Sequence, residues 1–345
     1  MLLAAQSCLH RRGSIVAAVT RLVAVLVNRN AQGVTDASIA QLREAVDDRL
    51  YLTESLDDAK AAVKQIVDRG VGALAIGGGD GTFRRAAADL VTTGGQVPVL
   101  LPLRLGTGNA IADVAGSSRG DRAGLAKDLA RAASDEPARP LKLIDVDGES
   151  THFTGVGLDA DYAVDFRTLM KDRNYGGVLG KLSRGVPGLV VTAMVRTVPR
   201  LLARPLRHVR VIALDEPAWR LRDDGARGEE LAPGATLYEG PFSIAAASTI
   251  HSYSNGMNFF PHAEAMTGAF QVRISALTGV ETLVSLPRSF DGTFRHPKLH
   301  DFAARAVAFE LAEPARYHVG GDLFGPATKF TVRLRPATVP MLFRA

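Results

Sequence analysis

Residues 73–82 read ALAIGGGDGT, and this stretch decides the fold because it joins a buried strand to a glycine-rich turn. The short apolar run from Ala73 to Ile76 is typical of a parallel strand that is buried on both faces. The turn that follows, GGGDGT, leads directly into a helical pattern. Ligands of open α/β sheets bind just beyond the carboxyl ends of the strands, so the stretch predicts a binding site at this turn.

A second glycine-rich turn follows the next strand along the chain. The apolar run VPVLLP at residues 97–102 is followed by LRLGTGN at residues 103–109. Because both turns leave successive parallel strands, we expect them to form one concave mouth. Glycine lets backbone N–H groups approach phosphate oxygens, and the start of the next helix adds positive potential. Neither turn has the spacing GxxxxGK[ST] or GxGxxG, so a nucleotide site of another type is predicted.

Asp80 is the residue of these turns whose side chain can hold a metal ion or accept a proton. Its negative charge repels phosphate unless it holds a magnesium ion or takes a proton from an attacking hydroxyl group. The alternative is a structural turn in which Asp80 only caps the following helix, and the first turn alone does not decide between the two.

The sequence outside the two turns predicts two domains that differ in their pattern of strands and helices. Residues 20–142 alternate strands and helices, with LVAVLVN at 22–28 as the first strand, a helix capped near Thr35 or Asp36, and a capping box at Ser55 to Asp58. The helix after this capping box is expected to bury one apolar face, formed by Leu56, Ala59, Val63, Ile66 and Val67. Residues 143–345 contain short alternating strands and a hairpin turn at Asp147-Gly148. A helical stretch from residue 159 to about 202 and an exposed loop at 215–236 are also predicted. The fold class is therefore α/β, with an N-terminal open parallel sheet covered by helices on both faces and a C-terminal, mostly antiparallel β-sandwich whose last strand is able to return to the first domain.

The net charge and composition of the chain restrict the classes of partner that it is expected to bind. The formal net charge is +5 and the sequence pI is about 9.5, which favours polyanions such as nucleotides, nucleic acid or an anionic membrane surface. No dense run of Lys and Arg with interleaved aromatic residues is present, so nucleic acid is not expected. The single cysteine, Cys8, excludes an intramolecular disulfide. The longest apolar stretch, residues 186–198, contains Pro187 and Arg196 and is too short for a membrane helix, so we expect a cytoplasmic protein that is able to associate with a membrane peripherally.

The two turns in this order, followed by a sheet domain, resemble the diacylglycerol kinase catalytic family, which includes bacterial lipid kinases and the sphingosine and ceramide kinases. Asn28 stands where that family has the Asn of an N-terminal turn. The segment GVGLDA at 155–160 resembles the family's GxGxDA segment, and residues 317–336 resemble its closing hairpin. The resemblance extends from Leu22 to the C-terminus.

The resemblance implies an ATP-dependent lipid kinase that uses Mg²⁺ and serves lipid metabolism and phospholipid biosynthesis. ATP would lie between the turns and a lipid hydroxyl would enter from the second domain, where Asp159 and Asp161 match the acceptor-binding segment. Asp80 and Asp322 match the catalytic carboxylates. A peripheral membrane surface and a homodimer are further expectations. The residues implied or inferred to bind the nucleotide are Asn28, Gly78, Gly79, Gly81, Thr82, Arg85, Gly106, Thr107, Gly108 and Asn109.

Four positions depart from the family pattern: three lose an acidic residue, and one carries a shorter acid. Arg85, Thr267 and Gly320 stand where the family has acidic residues, and Asp322 replaces a longer Glu. Because phosphoryl transfer depends on magnesium held by acids, the metal ligands remain open, and Arg85 is expected to bind a phosphate instead. Three alternatives therefore stay: a kinase with another acceptor, a nucleotide- or lipid-binding protein without turnover, and a NAD kinase-like enzyme, which shares GGDGT but has a different second turn.

Overall fold

The computed structural model describes residues 20–171, 205–253 and 256–344. Part of the predicted helical stretch at 159–202 therefore lies outside the described residues. Within them, the strands of both halves of the chain form one hydrogen-bonded sheet of sixteen strands.

The N-terminal part alternates strands and helices as the sequence predicts. Its elements are β1 (Val23–Asn28), α1 (Asp36–Val46), a 3₁₀ turn (Asp47–Arg49), β2 (Leu50–Thr53), α2 (Leu56–Asp68), β3 (Ala73–Gly78), α3 (Asp80–Thr93), β4 (Val99–Arg104), α4 (Ala110–Ala115) and α5 (Arg122–Ala133).

The C-terminal part consists mainly of strands. Its elements are β5 (Arg139–Val146), β6 (Glu149–Thr151), β7 (Phe153–Gly157), α6 (Leu158–Lys171), β8 (Arg207–Ala213), β9 (Ala218–Leu221), β10 (Arg227–Leu231), β11 (Thr236–Phe242), β12 (Ile244–Ser248), β13 (Phe270–Ser275), α7 (Gly279–Ser285), a 3₁₀ turn (Leu286–Ser289), β14 (Leu299–Ala304), β15 (Ala306–Val319) and β16 (Asp322–Met341).

Strands β2, β1, β3 and β4 are parallel, and both faces of this sheet are covered. Along β1, the side chains of Ala24 and Leu26 pack into a core that includes residues of α2 and α3. The alternate residues, Val23, Val25 and Val27, pack into a second core that includes residues of α1 and α5. This alternation confirms the predicted parallel sheet with helices on both faces, since each strand buries its side chains in both directions.

The second half is mostly antiparallel, which confirms the predicted fold class. Strand β12 pairs antiparallel with both β13 and β7, and β15 pairs antiparallel with β16 along most of its length. A third core of valine, phenylalanine and alanine side chains lies among these strands. At its far end β16 reaches the first sheet, where Met341 pairs in parallel with Leu100 of β4.

Local sequence signals place several element boundaries correctly. Thr35 caps α1 and Ser55 caps α2, each with a reciprocal capping box. Asp147 and Gly148 form the turn between β5 and β6, and both have positive φ angles. These signals succeed because a cap or a tight turn depends mainly on a few consecutive residues.

Two expectations are wrong. The exposed loop expected at residues 215–236 contains strands β9 and β10, which pair with each other, and β9 also pairs with β14. Their polar and glycine-rich sequence lacks the pattern of a strand, and the hairpin that they form is stabilised by pairing with the adjacent sheet. Leu56, expected on the buried face of α2, is 57% exposed because it is the first residue of the helix.

No helix within the described ranges is both long and apolar enough to cross a membrane.

Candidate functional site

The first glycine-rich turn lies where β3 ends and α3 begins. Gly79 occupies the N-cap position of α3, without a side-chain cap. A Cβ atom on Gly78 would lie 2.6 Å from the hydroxyl oxygen of Thr82, so only glycine fits this position. Because its glycines carry no side chains, the backbone of this turn can contact a neighbouring segment directly.

The second turn packs directly against the first. A Cβ atom on Gly106 would collide with the Cα atom of Gly79, so the two backbones touch at this point. Asn109, with a left-handed φ of 53°, accepts a hydrogen bond from the Gly106 N–H at 2.9 Å and donates to the Gly106 carbonyl at 2.6 Å. Its amide thus shapes the turn. Thr107 donates to the Oε1 atom of Gln32 at 3.1 Å.

Asp80 connects the two turns. Its Oδ1 atom accepts a hydrogen bond from the Ile111 N–H at 2.9 Å, at the start of α4, and a Cβ on Gly108 would lie 2.9 Å from its Oδ2 atom. The side chain is buried, and burial raises the pKa of Asp80 to about 6, with a smaller contribution from the charge of Asp113. The backbone N–H groups of Ile111 and Ala110 oppose this rise. Asp80 is therefore a carboxylate that can exchange a proton near neutral pH.

Asn28 and Thr82 close one side of the same mouth. The Nδ2 atom of Asn28, at the end of β1, donates to the hydroxyl of Thr82 at 3.2 Å, and its Oδ1 atom accepts from the Asn30 N–H at 3.0 Å. Three successive strand ends, those of β1, β3 and β4, thus bring the predicted nucleotide-binding residues together.

Asp322 reaches this mouth from the second half of the chain. It is the first residue of β16, and a Cβ atom on Gly81 would lie 3.2 Å from its Oδ2 atom. The same oxygen accepts hydrogen bonds from Arg85 at 2.6 Å and from Arg84 at 3.2 Å. Arg84 also donates to Glu149 at 2.6 Å. The charge of the Asp322 carboxylate is therefore balanced by two guanidinium groups.

Arg84 is a site residue that the sequence reading missed. Its side chain is only 3% exposed, whereas that of Arg85 is 38% exposed. The available signal was its position in α3, between the buried Phe83 and Ala87, where the helical period places it on the inner face.

The predicted acceptor residue Asp159 lies in a buried polar cluster. Its Oδ2 atom contacts the hydroxyl of Tyr253 and lies 2.9 Å from the Nε2 atom of His318, which is itself 2.7 Å from the Tyr253 hydroxyl. Burial alone would raise the pKa of Asp159, but the hydrogen bonds and charge of His318, together with the Tyr253 hydroxyl, hold it below its ordinary value. No local sequence pattern points to Tyr253 or His318, which lie far from Asp159 in the chain. Asp161 pairs with Arg207 at 3.0 Å.

A row of aromatic rings connects this cluster with α3. The ring centroids of Phe83 and His152 are 5.9 Å apart, those of His152 and Phe153 are 4.9 Å apart, and those of Phe153 and Tyr253 are 5.4 Å apart. His152 is fully buried, and neither of its ring nitrogens has a hydrogen-bond partner among the described residues. Burial, with a contribution from Arg84, lowers the pKa of His152 to about 3, so the ring is neutral.

The carboxylates of the mouth do not fit a magnesium ion held by the protein alone. Mg²⁺ is normally bound by one or two carboxylates together with substrate phosphates. One oxygen of Asp80 accepts an amide hydrogen bond, and Asp322 is bonded to two arginines. Across the three described ranges, no group of three or more His, Cys, Asp or Glu side chains could hold a metal ion.

A cleft of about 470 Å³ lies between α4 and the loop that precedes β13. Arg104 pairs with Asp113 inside it, and the Oδ2 atom of Asp113 accepts from the Gly256 N–H at 2.8 Å. Arg344 and Phe290 complete its rim. The sequence reading did not predict this cleft, because its walls come from residues that are distant in the chain.

Comparison with known proteins agrees with this geometry. Residues 23–142 match the family model of the diacylglycerol kinase catalytic domain. The fold is similar to that of a diacylglycerol kinase from Bacillus anthracis strain Sterne, which is 15% identical, with a TM-score of 0.58 over 93% of this chain and 96% of that chain. A second Bacillus anthracis structure assigned as a diacylglycerol kinase is 16% identical, with a TM-score of 0.60 over the same shares of both chains.

A search of curated proteins found no match. At these identities the similarity to the solved structures establishes a common fold. The match to the family model covers residues 23–142, in the N-terminal part. The match of residues 23–142 to the diacylglycerol kinase catalytic domain model confirms the resemblance predicted from the two glycine-rich turns.

Proposed function

We propose that the chain transfers the γ-phosphoryl group of ATP to a hydroxyl group of a lipid, with diacylglycerol as the expected acceptor. The position of Asp80 supports this most: its carboxylate lies between the two glycine-rich turns and has a pKa of about 6. A general base is most effective when its pKa is close to the working pH. The match to a diacylglycerol kinase catalytic domain supports a lipid acceptor.

The phosphates of ATP would lie along the two turns. A Cβ on Gly78 or Gly106 would meet other atoms at less than 3 Å, so side chains are excluded at these two positions. Such a surface offers backbone N–H groups and the start of α3 to a polyanion. Asn28 and Thr82 would bind beside the phosphates, since their side chains lie at the neighbouring strand end.

Asp80 would act on the acceptor. In the proposed step Asp80 takes the proton of the lipid hydroxyl while the hydroxyl oxygen forms a bond to the γ-phosphorus. The bond from that phosphorus to the oxygen bridging to the β-phosphate breaks, and ADP leaves with the electron pair. Arg85, which is partly exposed beside Asp322, would exchange this partner for a phosphoryl oxygen and balance the charge that spreads over the transferred group.

A transfer assay with labelled ATP tests the proposal. The acceptors are diacylglycerol, ceramide, sphingosine and, for the NAD kinase alternative, NAD. We expect label in diacylglycerol, a rate that rises with pH through about 6, and a loss of about 100-fold or more in Asp80→Asn. Asp89→Asn, which changes an acid farther along the same helix, serves as the matched control and should keep its activity. If none of the lipids is labelled while a known lipid kinase works under the same conditions, the proposal is wrong.

A second candidate function is nucleotide binding without turnover. The ion pairs of Asp322 with Arg84 and Arg85 favour it, because they engage a carboxylate that the family resemblance assigns to catalysis. Calorimetric titration with ATP in the presence of a chelator distinguishes the two candidates. Tight binding without metal, combined with no transfer to any acceptor, would favour the binding protein over the kinase.

A further inference from the structure

Exposed apolar side chains concentrate on one segment of the chain. Among the described residues, five large hydrophobic side chains are strongly exposed, and three of them fall within eleven residues: Val280 at 62%, Val284 at 74% and Phe290 at 47%. The segment comprises α7, the 3₁₀ turn after it, and Phe290, and is named here the 279–290 ridge. Single exposed apolar residues are ordinary, whereas a local group of them indicates an interaction surface.

The helix of this ridge has an unusual orientation. Val280 and Val284 are four residues apart, so they lie on the same face of α7, and that face is turned to the solvent. Ser285, one residue further, is buried instead. A surface helix normally buries its apolar face and exposes its polar one. The reversed arrangement indicates that the outer face of the ridge contacts something apolar.

Positive charge lies beside these apolar residues. Phe290 lines the 470 Å³ cleft together with Arg104 and Arg344. Within the described parts of the chain, no acid forms an ion pair with Arg344. The Arg344 guanidinium can therefore pair with an anionic group that enters this cleft.

Residues 279–298, which contain the ridge, carry three Lys or Arg residues and two acids, whereas the ridge alone carries one of each, Arg288 and Glu281. Arg288 and Arg295 are exposed, whereas Glu281 is paired with Lys298 at 2.7 Å. Asp291, the remaining acid, lies near Arg288, which contributes to holding the pKa of Asp291 below its ordinary value after the larger effect of hydrogen bonds from Thr293. The whole chain carries a net charge of +5.

We propose that the 279–290 ridge docks the protein on a membrane surface that contains anionic phospholipids. Val280, Val284 and Phe290 enter the headgroup region, and Arg344 in the cleft beside Phe290 pairs with a headgroup phosphate, whereas Arg104 stays paired with Asp113. Apolar residues next to basic ones are the combination that binds such interfaces. The inference does not rest on catalytic turnover, because docking requires only this face.

Vesicle flotation tests the inference without ATP or turnover. The wild-type chain is mixed with vesicles of phosphatidylcholine alone, or of phosphatidylcholine and phosphatidylglycerol in equal parts. We expect binding to the anionic vesicles that weakens as salt is raised. The double variant Val284→Ser/Phe290→Ser should bind about tenfold more weakly, because two apolar side chains no longer leave water.

The matched control is the double variant Leu22→Ser/Leu56→Ser. It changes two leucines that are exposed to 47% and 57% outside the ridge, and it should bind as the wild type does. Thermal unfolding of both variants verifies that they are folded. Failure of the wild type to bind anionic vesicles would overturn the inference. It would also be overturned if the two double variants lost binding equally, or if the ridge variant only dissolved a dimer of the chain.

Discussion

Arg85 and Asp322 form an ion pair, with 2.6 Å between the Nη2 and Oδ2 atoms, that joins α3 to the first residue of β16. The relationship has a consequence for the site, because Arg85 stands where the resembling family has an acid. The arginine places a positive charge at the mouth and engages the carboxylate that arrives from the second half of the chain. The mouth between the two glycine-rich turns is therefore more positive than two free carboxylates would make it.

The two arginines that contact Asp322 should differ in their effect on stability. We expect Arg84→Met to lower the free energy of unfolding by about 3 kcal/mol, because Arg84 is buried and its loss leaves Asp322 and Glu149 without their shared partner. Arg85→Met should lower it by less than about 1 kcal/mol, because this side chain is partly exposed to water. Urea unfolding of both variants measures the difference, and equal effects would contradict it.

Asp80→Asn should stabilise the protein at neutral pH. An aspartate whose pKa is raised on folding binds its proton more tightly in the folded chain. Its contribution to stability is therefore complete below about pH 4, the unfolded value, and is lost as the pH rises through about 6. Removing the charge should raise the free energy of unfolding at neutral pH by roughly 2 kcal/mol, with little change at pH 4.

Thermal unfolding of Asp80→Asn at both pH values tests this expectation. Asp68→Asn, which changes an exposed acid on α2, is the control and should show no such difference. A variant that is less stable than the wild type at neutral pH would show that the hydrogen bond from the Ile111 N–H depends on the charge of Asp80.

The contact between the two glycine-rich turns can be tested with single methyl groups. We expect Gly106→Ala to lower the free energy of unfolding by about 2 kcal/mol, because the new Cβ would collide with the backbone of Gly79. Gly79→Ala is the comparison, since its Cβ would lie 3.7 Å from the nearest atom, which is an ordinary contact. Thermal unfolding with and without ATP should show that Gly106→Ala also loses the stabilisation by ATP. Equal behaviour of the two variants would contradict the packed arrangement.

Tyr253→Phe tests the buried polar cluster. The variant removes the hydroxyl that contacts Asp159 and lies 2.7 Å from His318, so we expect a loss of about 1–2 kcal/mol in the free energy of unfolding. If Asp159 faces the acceptor, the KM for the lipid should rise while the KM for ATP stays unchanged. Tyr238→Phe, whose hydroxyl donates to the Pro241 carbonyl elsewhere, is the control. A rise in both KM values would assign the cluster to the general stability of the site.

His152→Phe should make the protein more stable and less sensitive to acid. Both ring nitrogens are buried without partners in the described chain, and the site is lined by Phe83 and Phe153, so replacement should raise the free energy of unfolding by about 1–3 kcal/mol. The pKa of His152 is lowered to about 3, so the unfolded chain binds its proton more readily, and stability is lost as the pH falls from about 6.5 towards 3. Unfolding curves over this range should be flatter for the variant.

Whether a feature of the site could be predicted from the sequence depends on how far apart its residues lie along the chain. The turns at 77–82 and 106–109 were predictable, because glycines after two successive strands leave few arrangements for the backbone. The caps Thr35 and Ser55 were predictable for the same local reason. Strands β9 and β10 were missed, because their polar sequence gives no strand pattern, and β9 pairs both with β10 and with β14, which is distant in the chain.

The amino-acid sequence by itself determined the parallel order of the first strands, the two glycine-rich turns and the placement of Asp80 between them, since each depends on residues that are neighbours in the chain. Only the tertiary structure decided that Arg84 is buried, that Arg85 faces Asp322, and that Tyr253 and His318 surround Asp159. These relationships join residues separated by between 94 and 238 positions. Such pairs meet because β15 pairs with β16 along the second half of the sheet, and the end of β16 pairs with β4 in the first half. No local sequence pattern encodes that path.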